Sequence, residues 1–198
     1  MKKAMIAAAL LAGSLALSGC ACQTPSEQTA QTQDRPMHIE VVGETEMDFF
    51  PGAVMEGRPA IENKGSMEVY CFMTVETPVF PAGDVALEAD EPAEDPVPLI
   101  RFTVSDAWTL VKETESDGIR TEVYAYGNLE RLKPCETTDS LFAKWRVTNF
   151  RVRNGMCGNT AYSDLTAQAA RFRIQGYAIQ SEHIGDNPTP EALWQMIN

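Results

Sequence analysis

Apolar and polar residues alternate with a period of two through most of the chain after residue 36, which predicts β-strands. The clearest case is residues 51–81, where two extended runs flank the Gly-containing segment 63–66. Such a segment between two extended runs is typical of a hairpin turn. The second run carries large apolar groups on both alternating faces, which favours a strand buried on both sides. We therefore predict a packed two-layer β domain organised around residues 51–81.

Further strands follow from the same alternation, and the segment 107–127 is predicted as two strands joined by a turn at Asp117-Gly118. Residues 164–170 suggest one helical turn. A final helix is predicted from Thr189 as its N-cap, Pro190 in its first turn and an apolar stripe through which Trp194 docks on the sheet. The pattern thus predicts an all-β antiparallel sandwich with a short C-terminal helix. The other predicted strands cover residues 37–42, 99–104, 141–152 and 171–180.

The N-terminus has the features of an export signal. Lys2 and Lys3 precede an apolar run over residues 4–17, which is short for a membrane-spanning helix. The run ends in Leu17-Ser18-Gly19-Cys20, which resembles a bacterial lipobox. We predict a lipoprotein signal peptide over residues 1–19 and diacylation of Cys20, which would hold the protein on the outer face of the cell membrane. An ordinary signal peptide cleaved near the same residues is the alternative.

A polar segment follows, and it sets the predicted domain boundaries. Residues 20–36 are rich in Gln and Thr, contain one serine and two prolines, and have no apolar period, so they are predicted to form a flexible tether. Residues 37–198 are then one β-sandwich domain, long enough to bury a core. The formal net charge of the whole chain is −12, and cleavage of the signal would remove two lysines and no acid. This charge argues against nucleic-acid partners and against direct docking on anionic headgroups.

Acidic residues crowd the connection 81–98, which also carries three prolines from residue 92 onward. The connection lacks the spacing of a calcium-binding loop, so we predict a solvated acidic loop. A weak calcium site built from its carboxylates is the alternative.

The cysteines match no zinc ribbon and no redox motif. Export permits disulfides, and Cys135 with Cys157 is the first pair to test. Cys71 lies within a predicted strand and is expected to be a buried thiol. Cys22 is interpreted as a thiol neighbouring the lipidation site.

Candidate catalytic and ligand-binding residues are few, and the chain is predicted not to be an enzyme and to need no cofactor or metal. His38 and His183 could hold zinc together with a carboxylate, but their spacing does not favour it. The chain has neither a Gly-x-Ser-x-Gly elbow nor a glycine-rich phosphate loop. Four aromatic residues could line a ligand groove, although strand spacing favours core packing. These aromatic residues are Trp108, Tyr124, Tyr126 and Trp145.

A series of short motifs runs through the chain. The first are Pro51-Gly52, Arg58-Pro59, Ile61-x-Asn63-x-Gly65, Tyr70-x-Phe72 and Pro78. They are followed by Ser140-Leu141-Phe142 with Trp145, and by Tyr177-Ala178-Ile179-Gln180 with Glu191-Ala192-Leu193-Trp194. In this order, and over most of residues 39–197, the motifs resemble the TasA/camelysin-like family of exported proteins.

This resemblance implies a jelly-roll-like sandwich, an extracellular location in a Gram-positive type of host, and assembly into matrix fibres by strand exchange. The lipobox departs from that family, because its members usually carry a signal handled by a dedicated signal peptidase. A lipid on Cys20 would also hinder use of the N-terminal segment as a donor strand. Some relatives are described as metallopeptidases, but the His-Glu-x-x-His motif is missing from this chain.

Together these features predict a lipid-anchored extracellular protein with a structural or adhesive role in the cell surface or biofilm matrix. Homo-assembly would use strand addition at an open sheet edge. A surface lipoprotein that binds a ligand or partner is the alternative, and an exported metallopeptidase is a third hypothesis.

Overall fold

The computed structural model describes residues 36–43, 49–182, 184 and 188–197. The predicted signal peptide 1–19, Cys20, Cys22, residues 20–35 of the tether and His183 lie outside these ranges. Neither of the described helices is long and apolar enough to cross a membrane.

The described residues form twelve strands and two helices. The first strands are β1 (Ile39–Val42), β2 (Val54–Glu56), β3 (Ala60–Asn63), β4 (Val69–Phe80), β5 (Val97–Pro98) and β6 (Ile100–Phe102). The later elements are β7 (Trp108–Ser116), β8 (Ile119–Tyr126), β9 (Lys144–Val147), β10 (Met156–Cys157), β11 (Thr160–Ala161), α1 (Tyr162–Ala169), β12 (Arg173–Gln180) and α2 (Pro190–Ile197).

The strands form two main antiparallel sheets. A five-stranded sheet has the order β12-β4-β8-β7, and β5 also pairs with β4. A three-stranded sheet has the order β2-β9-β6, and two small sheets pair β1 with β3 and β10 with β11. The predicted all-β sandwich with a short C-terminal helix is therefore confirmed.

Strand β4 lies in the middle of the larger sheet and is buried on both faces, as its sequence predicts. Its odd-numbered residues Val69, Cys71, Met73 and Val75 join the main core, together with residues of β6 and β9. Its even-numbered residues Tyr70 and Phe72 join a second core beneath α2. The twelve-residue strand thus separates two apolar layers, which explains why neither of its faces is polar.

The predicted hairpin across residues 63–66 is wrong. Strand β3 pairs with β1, and β4 pairs with β12, β8 and β5. The Asn63 side chain explains the difference, because its amide donates to Met67 O at 2.8 Å and Leu132 O at 3.0 Å while its oxygen accepts from the Gly65 N–H. A fully buried Asn63 therefore directs the chain from one sheet to the other instead of closing a hairpin.

The strand–turn–strand unit at 107–127 is confirmed. Strands β7 and β8 pair from Trp108–Tyr126 to Ser116–Ile119, with a bulge between Leu110 and Lys112. The turn places Asp117 and Gly118 at φ of 53° and 70°, the left-handed region that this two-residue connection requires.

The predicted extended segment 141–152 is shorter in the structure, since only Lys144–Val147 forms a strand. The helical turn predicted at 164–170 is part of α1, in which Leu165 and Ala169 are buried. The predicted C-terminal helix is confirmed, and the Thr189 hydroxyl accepts from the Ala192 N–H at 3.3 Å.

Candidate functional site

The acidic connection 81–98 is attached to the sandwich by arginines. The Glu91 side chain has no exposed surface, and both of its oxygens accept from the Arg146 guanidinium. Glu91 Oε1 also accepts from the Asn149 N–H at 2.9 Å. Burial opposes ionisation of Glu91, but these hydrogen bonds and the charges of Arg146 and Arg101 outweigh it and lower its pKa. The prediction of a solvated acidic loop is therefore wrong for this part of the connection.

Glu94 bridges two arginines, one of which also acts on Glu91. Its Oε1 lies 2.7 Å from Arg120 Nη1 on β8, and its Oε2 lies 2.7 Å from Arg101 Nη1 on β6. Burial opposes the charge of Glu94, yet the bonds from Arg120 and Arg101 outweigh it and lower its pKa. The carboxylate of Glu94 thus holds an arginine from each main sheet at one end of the sandwich.

A cavity of about 330 Å³ opens beside this bridge. Its walls come from both main sheets, and we call it the arginine cavity. Its lining combines polar groups on β4, β6 and β8 with apolar side chains of β5, β6 and Val104. The arginine cavity is lined by Thr77, Glu94, Pro98, Ile100, Arg101, Phe102, Val104, Arg120, Glu122 and Tyr124.

Buried donors without a hydrogen-bond partner among the described residues are concentrated at this cavity. They include the Thr77 hydroxyl, Arg101 Nε and Nη2, and Arg120 Nε. Thr77 is only 2% exposed. Nε of Arg101 lies 3.4 Å from Glu91 and that of Arg120 lies 3.7 Å from Glu113, but neither contact is a hydrogen bond. Because an unmatched buried donor costs free energy, this cavity is suited to a molecule that supplies acceptors.

A second cavity of about 370 Å³ is also lined by Arg101 and Phe102. Trp145 contributes to its wall, and the Trp145 indole N–H is another buried donor with no partner in the described part of the chain. Arg101 therefore contributes to two neighbouring concave surfaces, and each of them has an unmatched donor.

Glu122 and Tyr124 form the side of the arginine cavity contributed by β8. The Tyr124 hydroxyl donates to Glu122 Oε1 at 3.0 Å. Burial raises the pKa of Glu122, and the nearby carboxylates of Glu113 and Glu94 raise it further. Burial, followed by the charge of Glu122, raises the pKa of Tyr124. Glu122 is thus a carboxylate whose ionised form the fold does not compensate fully.

This environment predicts that Glu122→Gln stabilises the protein at neutral pH. A carboxyl group with a raised folded-state pKa favours folding when it is protonated, so its contribution is lost as pH rises through that pKa. The isosteric amide keeps an acceptor for Tyr124 and carries no charge. The free energy of unfolding of Glu122→Gln, measured by urea titration from pH 4 to pH 8, should exceed that of the wild type. The difference should be largest near pH 8. A variant that is less stable than the wild type at pH 8 would contradict this account.

The predicted Cys135–Cys157 disulfide is not formed. Cys157 is a free, buried thiol whose Sγ contacts the Ala86 backbone N–H and carbonyl at 3.4 Å, whereas Cys135 is disulfide-bonded and donates its backbone N–H to Asn63 O. The expected buried thiol at Cys71 is confirmed, and burial raises its pKa to about 12. Cys71 is therefore a poor nucleophile at neutral pH.

The other candidate residues are distributed between packing and cavity walls. Tyr124 lines the arginine cavity and Trp145 the second cavity, whereas Trp108 and Tyr126 pack on each other with ring centroids 5.3 Å apart. The described residues contain no group of three His, Cys, Asp or Glu side chains placed to hold a metal ion. Since His183 lies outside them, the two-histidine zinc hypothesis stays untested.

Comparisons with protein-family models, curated proteins and solved structures gave no match. The TasA/camelysin-like resemblance therefore stays a prediction, and the functional argument depends on the residues of this chain.

Sequence reasoning missed the arginine cavity, although one signal was available. One face of β8 carries Arg120 and Glu122, followed by Tyr124 and Tyr126. Large aromatic rings on the same face as two opposite charges indicate a partly buried polar surface and not a solvated one.

Proposed function

We propose that this chain is an exported, lipid-anchored surface protein whose β-sandwich binds a small acceptor-rich ligand in the arginine cavity. The observation that carries this proposal is the set of unmatched donors on Thr77, Arg101 and Arg120 around one cavity. Cavities of this size that combine an apolar wall with a few convergent polar groups are typical of small-molecule sites. The unfavourable environment of Glu122 adds support, because binding sites often retain groups that reduce stability.

The binding proposal can be tested with the membrane-extracted mature protein in detergent. A panel of carboxylates, amino acids and monosaccharides is added, and the unfolding temperature is recorded. A ligand present at a hundred times its Kd should stabilise the folded state by about 2.7 kcal/mol. Thr77→Val keeps the shape of the side chain and removes one unmatched donor, so it should reduce the shift for any compound bound in the cavity.

The matched control for this experiment is Thr109→Val. Thr109 lies on the exposed part of β7 and does not line the cavity. Its hydroxyl donates to Asn128 Oδ1 at 3.4 Å. This control should respond to the panel as the wild type does. The proposal fails if no compound shifts the unfolding temperature and a crystal structure places ordered water on each of the donors.

The anchoring part of the proposal depends on the lipobox-like segment that ends at Cys20. Intact-mass analysis of the membrane-extracted protein should show a chain that begins at Cys20 and carries a diacylglycerol adduct. Cys20→Ser removes the thiol that would be acylated, so the adduct should be absent from that variant. A mature mass without lipid, with cleavage at another residue, would contradict lipid anchoring and leave the binding proposal intact.

A structural or adhesive role is the second candidate, and strand β7 favours it. This nine-residue strand pairs with β8 on one side, and no other described strand pairs with it. An unpaired edge can accept a strand from another chain. The bulge after Leu110 and the charges of Lys112, Glu113 and Glu115 are features that weaken such pairing. These features make β7 a weak acceptor for another strand, so ligand binding is the better-supported role.

Light scattering and electron microscopy of the concentrated mature protein distinguish the two candidates. Assembly through β7 should produce fibres or oligomers, and Leu110→Lys on this edge should suppress them. Monomers across a range of pH and salt would count against the structural role.

A further inference from the structure

The lining of the arginine cavity combines unmatched donors with a carboxylate. The Thr77 hydroxyl on β4 and Arg101 Nη2 on β6 are buried donors with no acceptor in the described part of the chain. Arg101 is a cation whose side chain is 16% exposed, and its Nη1 is already bound to Glu94. Arg101 Nε lies 3.4 Å from Glu91, which leaves Nη2 as the nitrogen without any carboxylate contact. A guanidinium nitrogen and a hydroxyl that line the same cavity without acceptors are suited to a carboxylate, which has two oxygens to offer them.

The carboxylate in this lining is Glu122 on β8, next to β4 in the same sheet, and it lacks an ion-pair partner among the described residues. No Lys, Arg or His nitrogen of the described residues lies within salt-bridge distance of Glu122. The groups that act on Glu122 are Tyr124 and Arg120 on its own strand, Glu113 on β7 and Glu94 from the 81–98 connection. Glu113 and Glu94 add negative charge near Glu122, whereas Arg120, which is paired with Glu94, adds positive charge. A bound cation would supply the ion-pair partner that the described residues do not give to Glu122.

Apolar side chains also line the arginine cavity. Pro98, Ile100, Phe102 and Val104 line the same cavity, and Ile100 is 2% exposed. These side chains can accept an aliphatic group of a bound molecule but offer no side-chain hydrogen bond to it. The cavity volume of about 330 Å³ is at the lower end of the range for small-ligand sites, which favours a compact molecule.

Building on the proposed binding function, we infer that the arginine cavity selects a small zwitterion with one apolar side chain, the chemistry of a free aliphatic amino acid. The ligand carboxylate is bound by Arg101 and Thr77, the ligand ammonium by Glu122, and the side chain by Ile100 and Phe102.

Three matched probes test this inference: L-leucine, 4-methylpentanoate, which lacks the ammonium group, and 3-methylbutylamine, which lacks the carboxylate. Binding to the mature protein in detergent is measured by titration calorimetry. Leucine should bind at least about tenfold more tightly than either analogue, because 4-methylpentanoate leaves Glu122 without a partner and 3-methylbutylamine leaves Arg101 and Thr77 without one.

Two variants test separately the group that would bind the ligand ammonium and a group that would bind the ligand carboxylate. Glu122→Gln should weaken leucine binding and leave 4-methylpentanoate unchanged, so the preference for leucine is lost. Thr77→Val should weaken leucine and 4-methylpentanoate by the same factor. Glu68→Gln is the matched control, since Glu68 is a half-buried acid that pairs with Arg131 at 3.8 Å and does not line the cavity. Circular dichroism establishes that each variant is folded.

The outcomes separate this inference from the proposed function. If leucine and 4-methylpentanoate bind equally and Thr77→Val weakens both, the zwitterion inference is overturned and the cavity remains a binding site. Leucine binding that survives both variants also overturns it, because the ligand is then bound elsewhere. If none of the three probes binds, the zwitterion inference fails, and the broader compound panel decides the proposed function separately.

Discussion

Replacing Glu91 by alanine is expected to lower the free energy of unfolding by about 3 kcal/mol at pH 7. The Glu91 side chain has no exposed surface, and its removal leaves Arg146 without a bidentate partner and the Asn149 N–H without an acceptor. Arg146 is 37% exposed and can be solvated, so the cost falls mainly on Arg101, which is 16% exposed and loses a carboxylate at 3.4 Å, and on the Asn149 N–H. Urea-induced unfolding, followed by intrinsic fluorescence, measures the change.

Glu56→Ala is the matched control for this prediction. Glu56 pairs with Lys144, two residues before Arg146 on β9, but its side chain is 74% exposed and the pair is 3.8 Å long. An exposed pair of this kind contributes about 0.5 kcal/mol or less. Similar losses in the two variants would show that burial of Glu91 contributes little.

The loss of unfolding free energy in Glu91→Ala should also depend on pH. Because the folded-state pKa of Glu91 is lowered, its ionic contribution is present above the ordinary pKa of a glutamate and is lost as pH falls through the lowered value. The difference in stability between wild type and Glu91→Ala should therefore decrease below about pH 4.5. A difference that is constant down to pH 2 would assign the effect to packing instead of charge.

Trp194→Ala is expected to cost about 3 to 5 kcal/mol and to release helix α2 from the sheet. The Trp194 ring is 5% exposed and packs on Phe72 of β4 and Tyr177 of β12, with centroid distances of 5.7 and 5.2 Å. A helix of eight residues is marginal without such packing. Hydrogen exchange should show the amides of α2 losing protection, and urea unfolding should show the overall loss.

Met196→Ala on the same helix controls for the loss of any large apolar side chain. Met196 is 66% exposed, so its removal should change stability by about 0.5 kcal/mol or less. If Trp194→Ala were as mild as this control, α2 would be attached to the sheet mainly by its other contacts.

The fold could be predicted from the sequence where the signals are local. Strands β7 and β8 alternate clearly on each side of Asp117-Gly118, and helix α2 has its cap and its apolar stripe within a few residues. The β3–β4 connection could not be predicted in this way, because Asn63 acts through Leu132, which is 69 residues away in sequence. Turn chemistry that depends on so distant a partner is not visible in a local pattern.

The arginine cavity was also beyond a local interpretation. Glu94 belongs to a connection that reads as a run of solvated acids, while Arg101 and Arg120 read as polar positions on two separate strands. Their meeting depends on β6 and β8 belonging to sheets that face each other. The sequence could indicate the fold class, but it could not indicate which charges the sandwich would enclose.

The position of β4 has a consequence for how the chain completes its fold. On one side β4 pairs with β12, where Glu76 lies opposite Arg173 and Val69 lies opposite Gln180. A chain that stops before residue 173 would leave this buried, apolar strand with an unpaired backbone edge, which is a template for aggregation. The larger sheet can therefore be completed only when residues 173–180 are present, and nonsense truncations near the C-terminus should be far more harmful than their length suggests.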